Sequence, residues 1–233
     1  MAAFTWSGGV SPSEEHCLWA RPNRFGLVGA LIIVLKASRP PCRRHPSVFT
    51  RRRRLLCDAL PVPLVWVTGN SGVGKSTVCA LLKRLGELAV DADWDGYSHW
   101  VDRASGQVVV DPPYPAPAGW LERFAWRISR AEVAALAGRM HDKTAFLCGS
   151  AENEGDVWDL FDLVVCVVVD NETLRDRLLT RSTNAFGKHP EELAAALGCN
   201  DRTESTYRRL GATIIDGRRP PAEVADAILA AAG

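Results

Sequence analysis

The sequence has no framework for a metal or disulfide scaffold. Its seven cysteines (Cys17, Cys42, Cys57, Cys79, Cys148, Cys166 and Cys199) form no C-x-x-C pair and no zinc-type spacing. An odd count placed in apolar stretches predicts free thiols packing as small hydrophobes in a reducing, cytoplasmic compartment. Long apolar runs are missing too. Phe25 to Leu35 stops at eleven residues, short of the roughly twenty that span a bilayer. Arg21 and Arg24 precede that run as in a signal-peptide core, but Lys36-Ala37-Ser38-Arg39-Pro40-Pro41 comes next in place of a small-residue cleavage site. No membrane partner is expected. His99, His141 and His189 stand isolated and read as surface or structural residues.

An excess of one charge is likewise absent, the net being +1, but the charge is unevenly spread. Residues 1–61 carry ten Lys/Arg against three Asp/Glu, and the other 172 residues carry 18 against 24. The larger part is therefore mildly acidic, which argues against nucleic acid as its partner. The basic head mixes Pro, Ser, Arg and stray Trp without a period, and Arg51 to Arg54 is a basic tetrad. Residues 1–61 are expected to be a disordered extension, or a segment not translated in the natural protein, and residues 62–233 the folded domain.

What is present begins with Gly69-Asn70-Ser71-Gly72-Val73-Gly74-Lys75-Ser76-Thr77, a G-x-x-x-x-G-K-S P-loop (Walker A) pattern. Leu64 to Thr68 before it reads as a buried parallel strand. Val78 to Leu85 after it is apolar at helical spacing. Strand, glycine loop and helix N-terminus make an anion cradle in which backbone N–H groups and the helix dipole face phosphate. An ordinary glycine-rich turn is the alternative. The cradle reading gives Lys75 to the β- and γ-phosphates and Ser76 to Mg²⁺, with ATP as the bound nucleotide.

Leu88 to Asp93 predicts a second strand ending in Asp91-Ala92-Asp93, whose two carboxylates share one face of extended chain. They either serve the ligand crevice at the strand's carboxyl end or cap the strand and a helix after it. Asp95 to Trp100 predicts the start of a helix or a turn. The Pro-rich stretch Asp111 to Pro117 predicts a loop, and Trp120 to Gly138 a helix. Strands are predicted at Thr144–Cys148, Leu163–Val169 (at or near the sheet centre) and Ala212–Asp216. Helices are predicted at Glu172–Thr180 capped by Asn171, at Glu191–Leu197, at Glu204–Leu210, and from Pro221 to Ile228. Five strands alternating with helices predict an α/β fold, a three-layer doubly wound parallel sheet.

With these features placed, residues 64–232 resemble the small P-loop kinases, the group of shikimate, gluconate, adenylate and cytidylate kinases. The resemblance implies a nucleoside- or nucleotide-kinase-like P-loop fold. It implies ATP and Mg²⁺ as cofactors, with a small-molecule phosphoryl acceptor as partner. It gives Asp91 to the metal and Asp93 to the acceptor hydroxyl. Cys148-Gly149-Ser150 is similar to the family's substrate turn, though poorer in glycine. Arg177 and Arg181 resemble the arginines that precede and enter the lid, although Arg181 as a helix-end charge is the alternative. Asp216-Gly217-Arg218-Arg219-Pro220 resembles the loop that holds adenine through its backbone. Tyr97, Trp100, Trp120 and Trp126 make the acceptor side aromatic, which matches none of those substrates. A monomer or homodimer is expected. The other function considered is an ATPase or switch reporting to a partner protein. A membrane-anchored protein using Phe25 to Leu35 is a third. For the switch, only Asp170 ends an apolar strand in the required way.

Overall fold

Leu64–Thr68 forms β1, with all five residues buried, as a strand covered on both faces requires. Its side chains alternate between two apolar clusters. Val65 and Val67 join Val78, Leu82, Phe146, Val165 and Ile228 on one side. Leu64 and Trp66 join Ile128, Val133, Leu136 and Leu147 on the other. The computed structural model describes residues 63–114, 116–139 and 143–233. The expectations for residues 1–61 lie outside the described residues.

From β1 the chain passes through the glycine loop into α1 (Lys75–Arg84) and β2 (Leu88–Asp91). Then come β3 (Ser98–Asp102), α2 (Trp120–Arg123), β4 (Phe124–Ile128), α3 (Arg130–Gly138) and β5 (Ala145–Cys148). Two 3₁₀ turns precede β6 (Leu163–Val168), and after it come α4 (Asn171–Thr180), α5 (Pro190–Arg209), β7 (Thr213–Asp216) and α6 (Pro221–Ala232). The main sheet runs β2-β5-β1-β6-β7 and its four pairings are all parallel. This is the predicted doubly wound sheet. β1 is its centre and β6 lies beside it, with Val65 opposite both Phe146 and Leu163.

Four local expectations are corrected. Trp120 to Gly138 is not one helix, because Phe124–Ile128 pairs antiparallel with Ser98–Asp102, setting Trp100 opposite Trp126. The segment from Asp95 opens as the turn that was one of its two expected forms and leads into that hairpin, so the helix alternative falls and Ser98 to Trp100 is strand. The two short helices after Pro190 are one helix of 20 residues. Asn200 at its middle donates to Val169 O at 2.8 Å and to Asn171 Oδ1 at 2.9 Å, pinning the stretch where helical propensity is weakest. The cap of α4 is Asp170, whose carboxylate accepts from Thr173 N at 2.7 Å. Cys79, Cys148 and Cys166 are buried free thiols as expected, whereas Cys199 is disulfide-bonded. Among the described residues no helix is long and apolar enough to cross a membrane.

Candidate nucleotide and acceptor site

The loop between β1 and α1 is possible only with glycine at its root. Gly69 has φ 134°, and a Cβ there would lie 2.2 Å from Val167 O on the neighbouring strand. α5 braces the loop from the side, since Asn70 Nδ2 donates to Ala196 O at 2.7 Å. Lys75 opens α1 with its side chain buried, its ammonium donating to Gly69 O at 2.7 Å and Asn70 O at 2.9 Å. Burial lowers its pKa, while Asp93, Glu154 and Asp91 act to raise it.

The loop floors a cavity of about 910 Å³. Ser71 to Thr77 form its base, Arg177 and Arg181 one wall, Asp93 and Trp94 another, and Gly217 and Val224 the far end. Arg177 clamps two loops together, its Nη1 donating to Val73 O at 3.0 Å and its Nη2 to Gly217 O at 2.9 Å. Arg181 Nη2 donates to Ser71 Oγ at 3.1 Å and to Phe186 O at 2.8 Å. Its Nε is buried without a hydrogen-bond partner among the described residues. A buried, unpartnered guanidinium N–H beside an anion cradle suits phosphate oxygens.

Opposite the arginines, Asp91 ends β2 buried. Its Oδ1 accepts from Asp93 N at 3.1 Å and Trp94 N at 3.4 Å, so that oxygen caps the turn. Asp93 is exposed at its surface, yet the cleft crowds its carboxyl, and this desolvation raises its pKa. Lys75 and the Trp126 indole, whose Nε1 donates to Asp93 Oδ1 at 3.0 Å, pull the other way.

The cavity thus gathers Ser71 to Thr77, Asp93, Arg177 and Arg181 of the predicted residues. Gly69, Asn70, Asp91, Gly149, Ser150, Asp216 and Arg218 do not line it. A Cβ at Gly149 would meet that of Ala92 at 2.5 Å, so this glycine serves the packing of β5 against the Asp91 turn. Arg218 forks onto Asp216, holding that carboxyl at a pKa of about 2, and its Nη1 also donates to Asp170 at 3.2 Å. Asp170 is therefore a cap and an ion-pair partner at the strand end where a switch protein would need a metal ligand. From this loop Gly217 and Arg219 reach the cavity.

Sequence reasoning missed Glu154, in the 3₁₀ turn Glu154–Asp156 after β5. It is buried and accepts from Thr68 Oγ1 at 2.8 Å, from Ala151 N at 3.3 Å and from the Tyr207 hydroxyl. Burial raises its pKa. The bond to Thr68, immediately before Gly69, ties the root of the glycine loop to α5 through Tyr207. No local pattern marks Glu154, which sits in an acidic run that reads as solvated loop. Trp94, Thr183 and Asn184 also line the cavity unforeseen.

A family model described as AAA domain matches residues 65–198, more than half of the chain. The chain belongs to the AAA domain family. The match runs from β1 through the glycine loop into α5, and so spans the cradle, the Asp91 turn and both arginines. No curated protein matches this AAA domain chain. Among solved structures it is similar to a gluconokinase from Sinorhizobium meliloti 1021, at 15% identity and a TM-score of 0.40, covering 74% of this chain and 92% of that one. It is also similar to a deoxyadenosine kinase from M. mycoides, at 13% identity and a TM-score of 0.41, covering 72% and 98%. A shikimate kinase from Acinetobacter baumannii is similar at 19% identity and a TM-score of 0.46, covering 72% and 91%.

Among the described residues no group of three or more His, Cys, Asp or Glu is arranged to hold a metal. Mg²⁺ bound with a nucleotide needs only one or two protein ligands, the phosphates and waters supplying the rest. Ser76, exposed at the cavity base, fits that need, whereas Asp91 is buried behind the turn and does not line the cavity.

Proposed function

We propose that this protein transfers the γ-phosphate of ATP to a hydroxyl or phosphate group of a small molecule. The observation that carries this reading is convergence. One cavity joins a backbone anion cradle, a buried lysine, an arginine with an unpartnered N–H, and a carboxylate on the opposite wall.

In this reading the loop amides hold the β-phosphate, and Lys75 exchanges its two carbonyl partners for phosphate oxygens. Arg181 meets charge on the transferring group, while Arg177 keeps the loop and the Gly217 turn together. Ser76, with Asp91 as the further candidate, would hold Mg²⁺, which would neutralise phosphate charge. Asp93 orients the acceptor hydroxyl and takes its proton. The new O–P bond forms as the bond from γ-phosphorus to the bridging oxygen breaks, and ADP leaves with that electron pair. The carboxylate, the cradle and the arginines act together by positioning.

Lys75→Ala tests the reading. The variant is expected to keep its fold, measured by circular dichroism, and to lose phosphoryl transfer by two orders of magnitude or more. Turnover at the unsubstituted rate would show that the cavity is not the site of phosphoryl transfer.

A further inference from the structure

Asp93 is bordered on its hairpin side by a chain of aromatic rings. Trp126, which holds Asp93 Oδ1, meets Trp100 at 5.2 Å between ring centroids and 64° between planes. Trp100 meets Trp120 edge-on at 5.8 Å, and Trp120 stacks on Phe124 at 4.0 Å. Each ring is held by the next, so the Trp126 donor stays fixed on the carboxylate.

Trp94 stands outside that chain. It lines the cavity beside Asp93 and is 73% exposed. Its backbone is not a loose tip. Trp94 N donates to Asp91 Oδ1, and Asp95 Oδ2 accepts from Asp91 N at 2.9 Å and from Lys83 Nζ at 3.0 Å. A braced turn therefore presents a bare indole at the cavity wall, next to the carboxylate proposed to meet the acceptor. Large exposed apolar surface at such a place marks a contact site, and an indole face stacks well on planar rings.

The charges point the same way. The cations lining the cavity are Lys75, Arg177, Arg181 and Arg219. The first three face the cradle, and Arg219 pairs with Glu223 at the far end. Among the described lining residues none is left beside Asp93 and Trp94 for an anionic acceptor. We infer that the acceptor is an uncharged alcohol carrying a planar aromatic or heteroaromatic ring, which lies against Trp94 and presents its hydroxyl to Asp93. This rests on the phosphotransfer reading above and names its substrate class.

The test is binding without turnover. Protein loaded with Mg²⁺ and the β,γ-imido analogue of ATP is titrated calorimetrically with adenosine, thymidine, benzyl alcohol, glycerol and gluconate. At least one ring compound is expected to bind, and glycerol and gluconate are not. The nucleoside and benzyl alcohol arms decide which ring chemistry is meant. Trp94→Ala should weaken the ring compound roughly 5- to 150-fold, the range that stacking supplies. Trp94→Phe should restore most of the loss, and in both variants affinity for the ATP analogue should change by far less than affinity for the ring compound. Binding of gluconate or glycerol that is indifferent to Trp94→Ala would overturn the inference, as would no binding by any ring compound. Transfer of phosphate to gluconate would do so while leaving the phosphotransfer reading intact. A ring compound bound through Trp94 but never phosphorylated would keep the ring site and remove that reading.

Discussion

At Asp93, crowding by the cleft and the Trp126 N–H act on one carboxyl in opposite directions, and crowding prevails. A base must be ionised to work, so the acid limb of kcat/KM is expected above the ordinary Asp value of about 3.9. The indole N–H stabilises the charged form, so Trp126→Phe should move that limb to higher pH. A limb that stays in place would show that the contact is structural only. Glu154 supplies a second pH signature. Its pKa is raised in the fold, above the ordinary value of about 4.3. Stability from its protonated form is fully present below that ordinary value and is lost as pH rises through the folded value. Glu154→Gln does not titrate there, so its melting temperature should gain on the native one as pH rises from about 4.3. A constant difference across that window would refute the assignment. The Asp91–Asp93 pair was only half legible in sequence: Asp91 ends the strand as expected, but Asp93 lies in the turn after it and not on the same face of extended chain. The partners of Asp93 and Glu154 were not legible, being 33 and 86 residues away along the chain.

At the scale of elements, the strands and the loop–helix unit were readable because each is a short run with its own period. The β3–β4 hairpin was not. Leu121, Phe124, Ile128 and Val133 fit a helical stripe, while Phe124, Trp126 and Ile128 fit strand alternation equally well. The antiparallel partner decided between them, and the long Pro-rich connection hid it. Arg177 in α4 and Arg181 at its C-cap do different work. Arg177→Ala strands two carbonyls, Val73 O and Gly217 O. That should cost about 1–3 kcal/mol and lower the melting temperature by roughly 2–4 °C per kcal/mol, loosening ATP binding as well. Arg181→Ala should cut phosphoryl transfer with a smaller change in melting temperature. Scanning calorimetry with ATP titration separates the two, and equal thermal losses would contradict the division.

For the whole molecule, the order β2-β5-β1-β6-β7 is what makes a site of these parts. Strands lie on both sides of β1, so a crevice opens above its carboxyl end, where doubly wound sheets bind ligands. The glycine loop, the Asp91 turn from the β2 side, and Arg177 and Arg181 from the β6 side all meet there. α5 ties them together, reaching Asn70 near its start and Thr68, through Tyr207 and Glu154, near its end. Such a frame supports phosphoryl transfer and a nucleotide switch alike, and the role proposed for the Asp93 carboxylate distinguishes them. The direct measurement is ATP-dependent phosphoryl transfer across an acceptor panel by native protein and Asp93→Asn, with Mg-ATP affinity taken by calorimetry on both. The expected result is a phosphorylated small molecule in the native case, lost about 10²- to 10⁴-fold in Asp93→Asn, with ATP affinity changed by less than about 1 kcal/mol. Transfer at the native rate by Asp93→Asn, or ATP turnover that answers only to a protein partner and phosphorylates no acceptor, would contradict it.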